Sequence, residues 1–143
     1  MTTARGGGRP PNGLAEMISR EMVRIMRDAA GRGPTKARTT IGRDHVLVMF
    51  EGTLTRGERN LVEHGKAEDV EAVRAGYQEI VRKRATELVE GALGRKVRGF
   101  MSANHFEPDL AAEVFVLEPL ADSSSARAPE EGEHSEDGSP GGS

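Results

Sequence analysis

Three side chains that commonly do chemistry stand at alternate positions near the end of the chain: His105, Glu107 and Asp109. An imidazole and two carboxylates at that spacing would line one face of a regular strand, as a metal site or an acid/base pair requires. Pro108 interrupts the pattern, because it cannot donate to a strand ladder and favours turns. Glu107-Pro108-Asp109-Leu110 reads as a type I turn with Pro at its second place, leaving Asp109 to bond nearby backbone N–H groups. As a metal ligand His105 needs at least two companions. Glu107, Glu113, His45 and His64 are the ones available, and the sequence fixes no geometry among them. The turn is the plainer reading, and no catalytic, metal or cofactor residue is assigned.

Basic residues form two clusters, Arg82-Lys83-Arg84 and Arg95-Lys96 with Arg98. Both fall where a long helix would end, and cations there complement the helix dipole. Arg95, Lys96 and Arg98, with Arg38 and His105, are also the candidate contacts for an anion or an acidic partner surface. No aromatic residues interleave with them as stacking platforms, so nucleic acid is not expected as a partner. Gly31-Arg32-Gly33-Pro34-Thr35-Lys36 is not a phosphate loop. Its spacing is short, it leads from a helix to a strand, and Pro34 removes a backbone donor. No nucleophile elbow, paired-histidine zinc motif or dinucleotide fingerprint occurs, and the expectation is a chain that is not an enzyme and needs no cofactor.

Composition narrows the classes further. The chain has 143 residues, which suits one domain, and no cysteine. That removes disulfides, thiolate catalysis and cysteine-based metal sites, and it fits a reducing cytoplasm. Residues 1–13 show no signal-peptide core, and no apolar run approaches the roughly 20 residues a membrane span needs. Residues 1–12 are rich in Gly, Arg and Pro, and residues 121–143 in Ser, Gly, Pro and acids, so both read as disordered arms. Between them, residues 13–120 hold equal numbers of basic and acidic side chains.

The elements that must position these residues follow from periodicity. Leu14, Met17, Ile18, Met22, Ile25, Met26 and Ala29 make one apolar helix stripe, with Asn12 placed to cap its start and Gly31 to stop it. The period then changes to two. Thr35–Ile41 alternates, Gly42-Arg43-Asp44 turns, and His45–Glu51 follows with Val46, Val48 and Phe50 facing one way, Leu47 and Met49 the other. Thr55-x-x-Glu58 is a capping box opening a short helix. A longer one carries Val70, Val73, Tyr77, Ile80, Val81, Leu88, Val89 and Ala92 along one side and stops at Gly94. Strands from about Lys96 to Asn104 and Ala111 to Leu117 close the domain, with Val114 and Val116 opposing Phe115 and Leu117. The order αββααββ predicts an α+β two-layer sandwich, a largely antiparallel four-stranded sheet with helices on one face. Two strands are apolar on both faces. A homodimer that covers the second face is the simplest arrangement.

Gly33-Pro34-Thr35, Glu51-Gly52-x-Leu54-Thr55, Gly94-Arg95-Lys96-Val97, His105-Phe106-x-Pro108-Asp109 and Glu113–Pro119 together resemble the MpsC-like domain family, formerly a domain of unknown function. The similarity covers Gly13 to Leu120. Glu107 stands where the family pattern has Asp, and the acidic tail lies outside it. The family's name refers to a sodium-translocating, membrane-potential-generating system. The resemblance therefore implies an accessory role, cytoplasmic or peripheral at the membrane, beside a membrane-protein complex, and it assigns no catalytic residues. The leading expectation is a non-enzymatic domain that homodimerises and binds such a partner. The alternative is a small-ligand or anion sensor.

Overall fold

A computed structural model describes residues 13–120; the Asn12 cap, the leading arm and the acidic tail fall outside the described residues. Helix α1 (Leu14–Ala30) is followed by β1 (Lys36–Ile41), β2 (His45–Glu51), α2 (Arg56–Glu63), α3 (Ala67–Leu93), β3 (Val97–Phe106) and β4 (Asp109–Leu117). The predicted α+β class and element order are what the structure shows. All strand pairs are antiparallel, in the order β1-β2-β4-β3, so the second strands of the two hairpins meet at the centre.

The start and stop signals act as local chemistry dictates. Gly31 and Gly94 take left-handed conformations and close α1 and α3 with N–H bonds to Arg27 O and Glu90 O. Thr55 and Glu58 form the reciprocal capping box of α2. The hairpin turn differs from its expected form. It is only Glu107-Pro108 between β3 and β4, with a cis peptide before Pro108, so Pro takes the third turn position and not the second. Asp109 thereby becomes a strand residue.

One face of the sheet packs on α1 and α3. Val46, Val48 and Phe50 of β2 and Ala111, Phe115 and Leu117 of β4 bury against Ile18, Met22 and Ile25 of α1 and Val81, Ala85 and Val89 of α3. Few aromatics are present, yet two of them, Phe50 and Phe115, are fully buried in this core. Phe115 also meets the Phe100 ring at a centroid distance of 5.2 Å. Removing such a ring typically costs about 3–5 kcal/mol, because the surroundings collapse only partly into the cavity. Two expectations for α3 change. Val73 and Ile80, read as part of its apolar side, are each 55% exposed, and Arg74 takes an inward position between Val70 and Val81.

Among the described residues, no helix covers the other sheet face. The register lays four rows across it: Lys36–Glu51–Leu110–His105, Arg38–Met49–Ala112–Ala103, Thr40–Leu47–Val114–Met101, and His45–Val116–Gly99. Its middle is apolar, and Met101 is 55% exposed.

Candidate functional site

The loop Glu51–Thr55 carries the chain from β2 into α2, and polar side chains from four directions converge on it. Gly52 has φ +67°, and a Cβ there would run into Thr35, whose N–H and hydroxyl both donate to Glu51 O. From the turn after α1, Arg32 Nη1 donates to Gly52 O (3.0 Å) and Leu54 O (2.7 Å). From β4, Asp109 accepts Thr53 N–H and the Thr53 hydroxyl on Oδ1 (both 2.9 Å) and Leu54 N–H on Oδ2 (3.0 Å). The carboxylate therefore pins a loop more than 50 residues away, where the turn reading had it bonding its neighbours.

Arg74 completes the hub from α3. It is 6% exposed and makes five hydrogen bonds: Nε and Nη2 to Glu58, Nη1 to the Thr53 hydroxyl and Asn104 Oδ1, and Nη2 to Thr53 O. Burial alone would raise the pKa of Glu58, but bonds from Arg74 and Thr55 outweigh it and hold the carboxyl below its usual range. Asp109 is likewise lowered. Desolvation opposes this, and the N–H bonds of Leu54 and Thr53 dominate. These acids have ionised, fully engaged carboxylates, which suits a structural brace more than a proton-transfer site.

Behind the brace lies a cavity of about 30 Å³ between α1, α3 and the sheet, lined by Thr53, Arg74, Tyr77, Ser102, Asn104 and Glu113 among others. That is space for two or three waters, since each needs roughly 10–15 Å³. Glu113 is 4% exposed. Its Oε2 has a long bond from Ser102 Oγ (3.4 Å), and its Oε1 has no partner among the described residues. Burial pushes its pKa up to about 7, with the Ser102 bond only partly offsetting this.

The residues singled out from sequence do not form one site. His105 lies next to the last residue of β3 on the open face, its Nδ1 2.8 Å from Pro108 O, while Glu113 points to the helix face. His45 and His105 sit at opposite ends of the sheet. No group of three or more metal-binding side chains occurs among the described residues. Arg38 is on edge strand β1, across the sheet from β3. Arg95 and Arg98 do come together. With Arg43 and Asp44 they line an open basin of about 370 Å³ beside Leu117 and Pro119, and Lys96 lies against the adjoining groove at Gly94 and Glu118. Arg95 there ties Arg43 O (2.7 Å) to Glu118 O (2.8 Å). The sequence reading does not single out Arg74 and names Glu113 only as a possible companion ligand of His105, though both occupy inward positions of an otherwise apolar repeat.

A family model described as Na+-translocating membrane potential-generating system (MpsC) matches residues 12–119. Comparison with curated proteins gives no match, and comparison with solved structures gives none. Three of the sequence segments quoted above, Gly33–Thr35, Glu51–Thr55 and His105–Asp109, meet at the loop brace.

Proposed function

The chain belongs to the MpsC family, and from that premise we propose that it is a non-catalytic, partner-binding domain serving a membrane sodium-translocating system, and that it works as a homodimer. No helix among the described residues is long and apolar enough to cross a membrane, so on this reading the ion path belongs to other subunits. The observation that carries the dimer is the sheet face that no helix among the described residues covers. Leu47, Met49, Val114, Val116 and Met101 form a contiguous apolar surface opposite the helix layer. Surfaces of this kind mark interaction sites. The engaged state of Asp109 and Glu58 supports the non-catalytic reading.

Light scattering tests it. The purified chain should have twice the monomer mass at tens of micromolar, and Val114→Lys should halve that mass with an unchanged far-UV spectrum. A monomeric wild-type chain would refute the homodimer. For the membrane role, deleting the gene should lower the sodium-dependent membrane potential reported by a voltage-sensitive dye. An unchanged potential would count against it.

The basin formed by Arg43, Arg95 and Arg98 favours a second reading, an anion sensor. Phosphate, bicarbonate or a nucleotide bound there would raise the melting temperature by mass action, and Arg98→Ala would abolish the rise. A flat screen leaves partner binding ahead.

A further inference from the structure

We propose that the acidic segment 130–137 docks in the basin of Arg43, Arg95 and Arg98 and the adjoining groove of Lys96 on its own domain, and blocks access to those cations. The basin is that of the anion-sensor reading, and the segment is the occupant that a free anion would have to displace. Docking does not require that a free anion binds.

The fold treats the two basic clusters of the sequence differently. Arg82, Lys83 and Arg84 are each taken by an acid of the helix layer: Glu79, Glu87 (3.6 Å) and Asp28 (3.2 Å) respectively. Arg43, Arg95, Lys96 and Arg98 make no ion pair among the described residues. Arg95 commits both Nη atoms to the carbonyls of Arg43 and Glu118, and its buried Nε has no partner among the described residues. Arg43 and Arg98 are exposed, with guanidinium forks free to take carboxylates in bidentate pairs. The acids beside them are Asp44 and Glu118, and Asp44 is already bonded by His45 (3.0 Å). Four cations against two carboxylates make a local positive excess on a domain whose charges are otherwise balanced.

The chain leaves the domain through this same basin. Leu117 N–H donates to Asp44 O and Glu118 N–H to Lys96 O (both 2.9 Å), and Pro119 and Leu120 line the wall that follows. Residues 121–143, outside the described residues, hold Asp122, Glu130, Glu131, Glu133, Glu136 and Asp137 against Arg127 alone. Five of those six acids fall within residues 130–137, so the charge is concentrated where a single basin can meet it. Residues 121–129 reach about 30 Å when extended, enough to return residue 130 to a basin that Leu120 already lines. A tether this short presents its acids at an effective concentration on the order of millimolar, which a competing anion has to match. The basin of about 370 Å³ shares Arg95 with a groove of about 220 Å³ beside Lys96, so one peptide can set carboxylates on several cations at once.

Because the chain has no cysteine, Ser135→Cys gives a single attachment point for a nitroxide on the full chain. At low ionic strength the nitroxide should broaden the amide signals of residues 43–44 and 95–98 well beyond those of the rest of the domain. High salt should abolish the effect by screening, and so should Arg43→Gln with Arg98→Gln. A neutral tail, with Glu130, Glu131, Glu133 and Glu136→Gln and Asp137→Asn, leaves the domain untouched and should lose the broadening as fully. Broadening that is absent, that centres on Arg82–Arg84 or the open sheet face, or that survives either set of substitutions would overturn the proposal. Nitroxide-bearing chains mixed with isotope-labelled chains lacking the nitroxide report contacts between copies, and equal broadening there would overturn docking within one chain. The anion sensor fails separately. Should phosphate leave the melting temperature of the neutral-tail protein unmoved while the acidic tail broadens these amides, only that reading is lost. Phosphate binding with no broadening sinks the docked tail alone.

Discussion

Two buried ionisable residues have opposite relations to the fold, and each gives a measurable consequence. Arg74 is matched on every side. Replacing it with Met would leave Glu58, Asn104 and the Thr53 carbonyl without their donor. Breaking a buried ion pair from one side costs about 3–5 kcal/mol, so Arg74→Met should lower the urea midpoint accordingly. Lys offers a point charge without the planar fork and should recover little. Glu113 is poorly matched, and its carboxyl is held neutral to about pH 7. A folded-state pKa above the unfolded value means a stabilising contribution that is complete in acid and lost as pH rises through the folded pKa. From about pH 5 to pH 8 the wild-type domain should lose stability, by an amount on the order of 3 kcal/mol at most for a shift of this size. Glu113→Gln keeps the shape and removes the titration, so its urea midpoint should stay level over that range. A wild-type profile as flat as the variant's would show that Glu113 ionises freely. Asp109 and Glu58, lowered by their partners, act in the opposite sense and lose their contribution as pH falls through their folded pKa values.

At the scale of elements, two glycines separate conformational need from sequence habit. Gly52 combines positive φ with the crowding of Thr35. Gly52→Ala should therefore destabilise by more than the roughly 1 kcal/mol that such changes gain at compatible sites. Gly76 sits in mid-α3 with open space around a Cβ. Gly76→Ala should stabilise by about 0.4–1 kcal/mol. Paired urea titrations check both signs. The helices and strands were legible because alternation and capping are short-range physics: Val46-x-Val48-x-Phe50 and Thr55-x-x-Glu58 declare themselves within a few residues. The brace was not legible. Asp109 reaches Thr53 across more than fifty residues, and only the pairing of β2 with β4 brings them together. Arg74 and Glu113 left a faint signal. Arg74 falls four residues after Val70 and seven before Val81, and Glu113 falls in the same alternation as Ala111, Phe115 and Leu117. A polar residue in the register of the core marks a buried network, but periodicity alone cannot say what it meets.

At the scale of the whole molecule, the described residues make a two-layer sandwich whose sheet is open on the side away from the helices, and the character of that face fixes how pairing should respond to its surroundings. Its centre is Leu, Met, Val and Ala, with charged side chains on edge strand β1 and in the outermost rows. Association driven by such a centre changes little with ionic strength and is strengthened by sulfate, which is excluded from apolar surface. Met49→Lys should weaken the dimer at every salt concentration, because the apolar contact would then bury a cation. Sedimentation equilibrium of both proteins across a salt series separates the contributions. A wild-type dimer that dissociates steeply with salt would mean that charges, not the Leu47–Val114–Met101 surface, hold the copies together, and the open face would then need a different occupant.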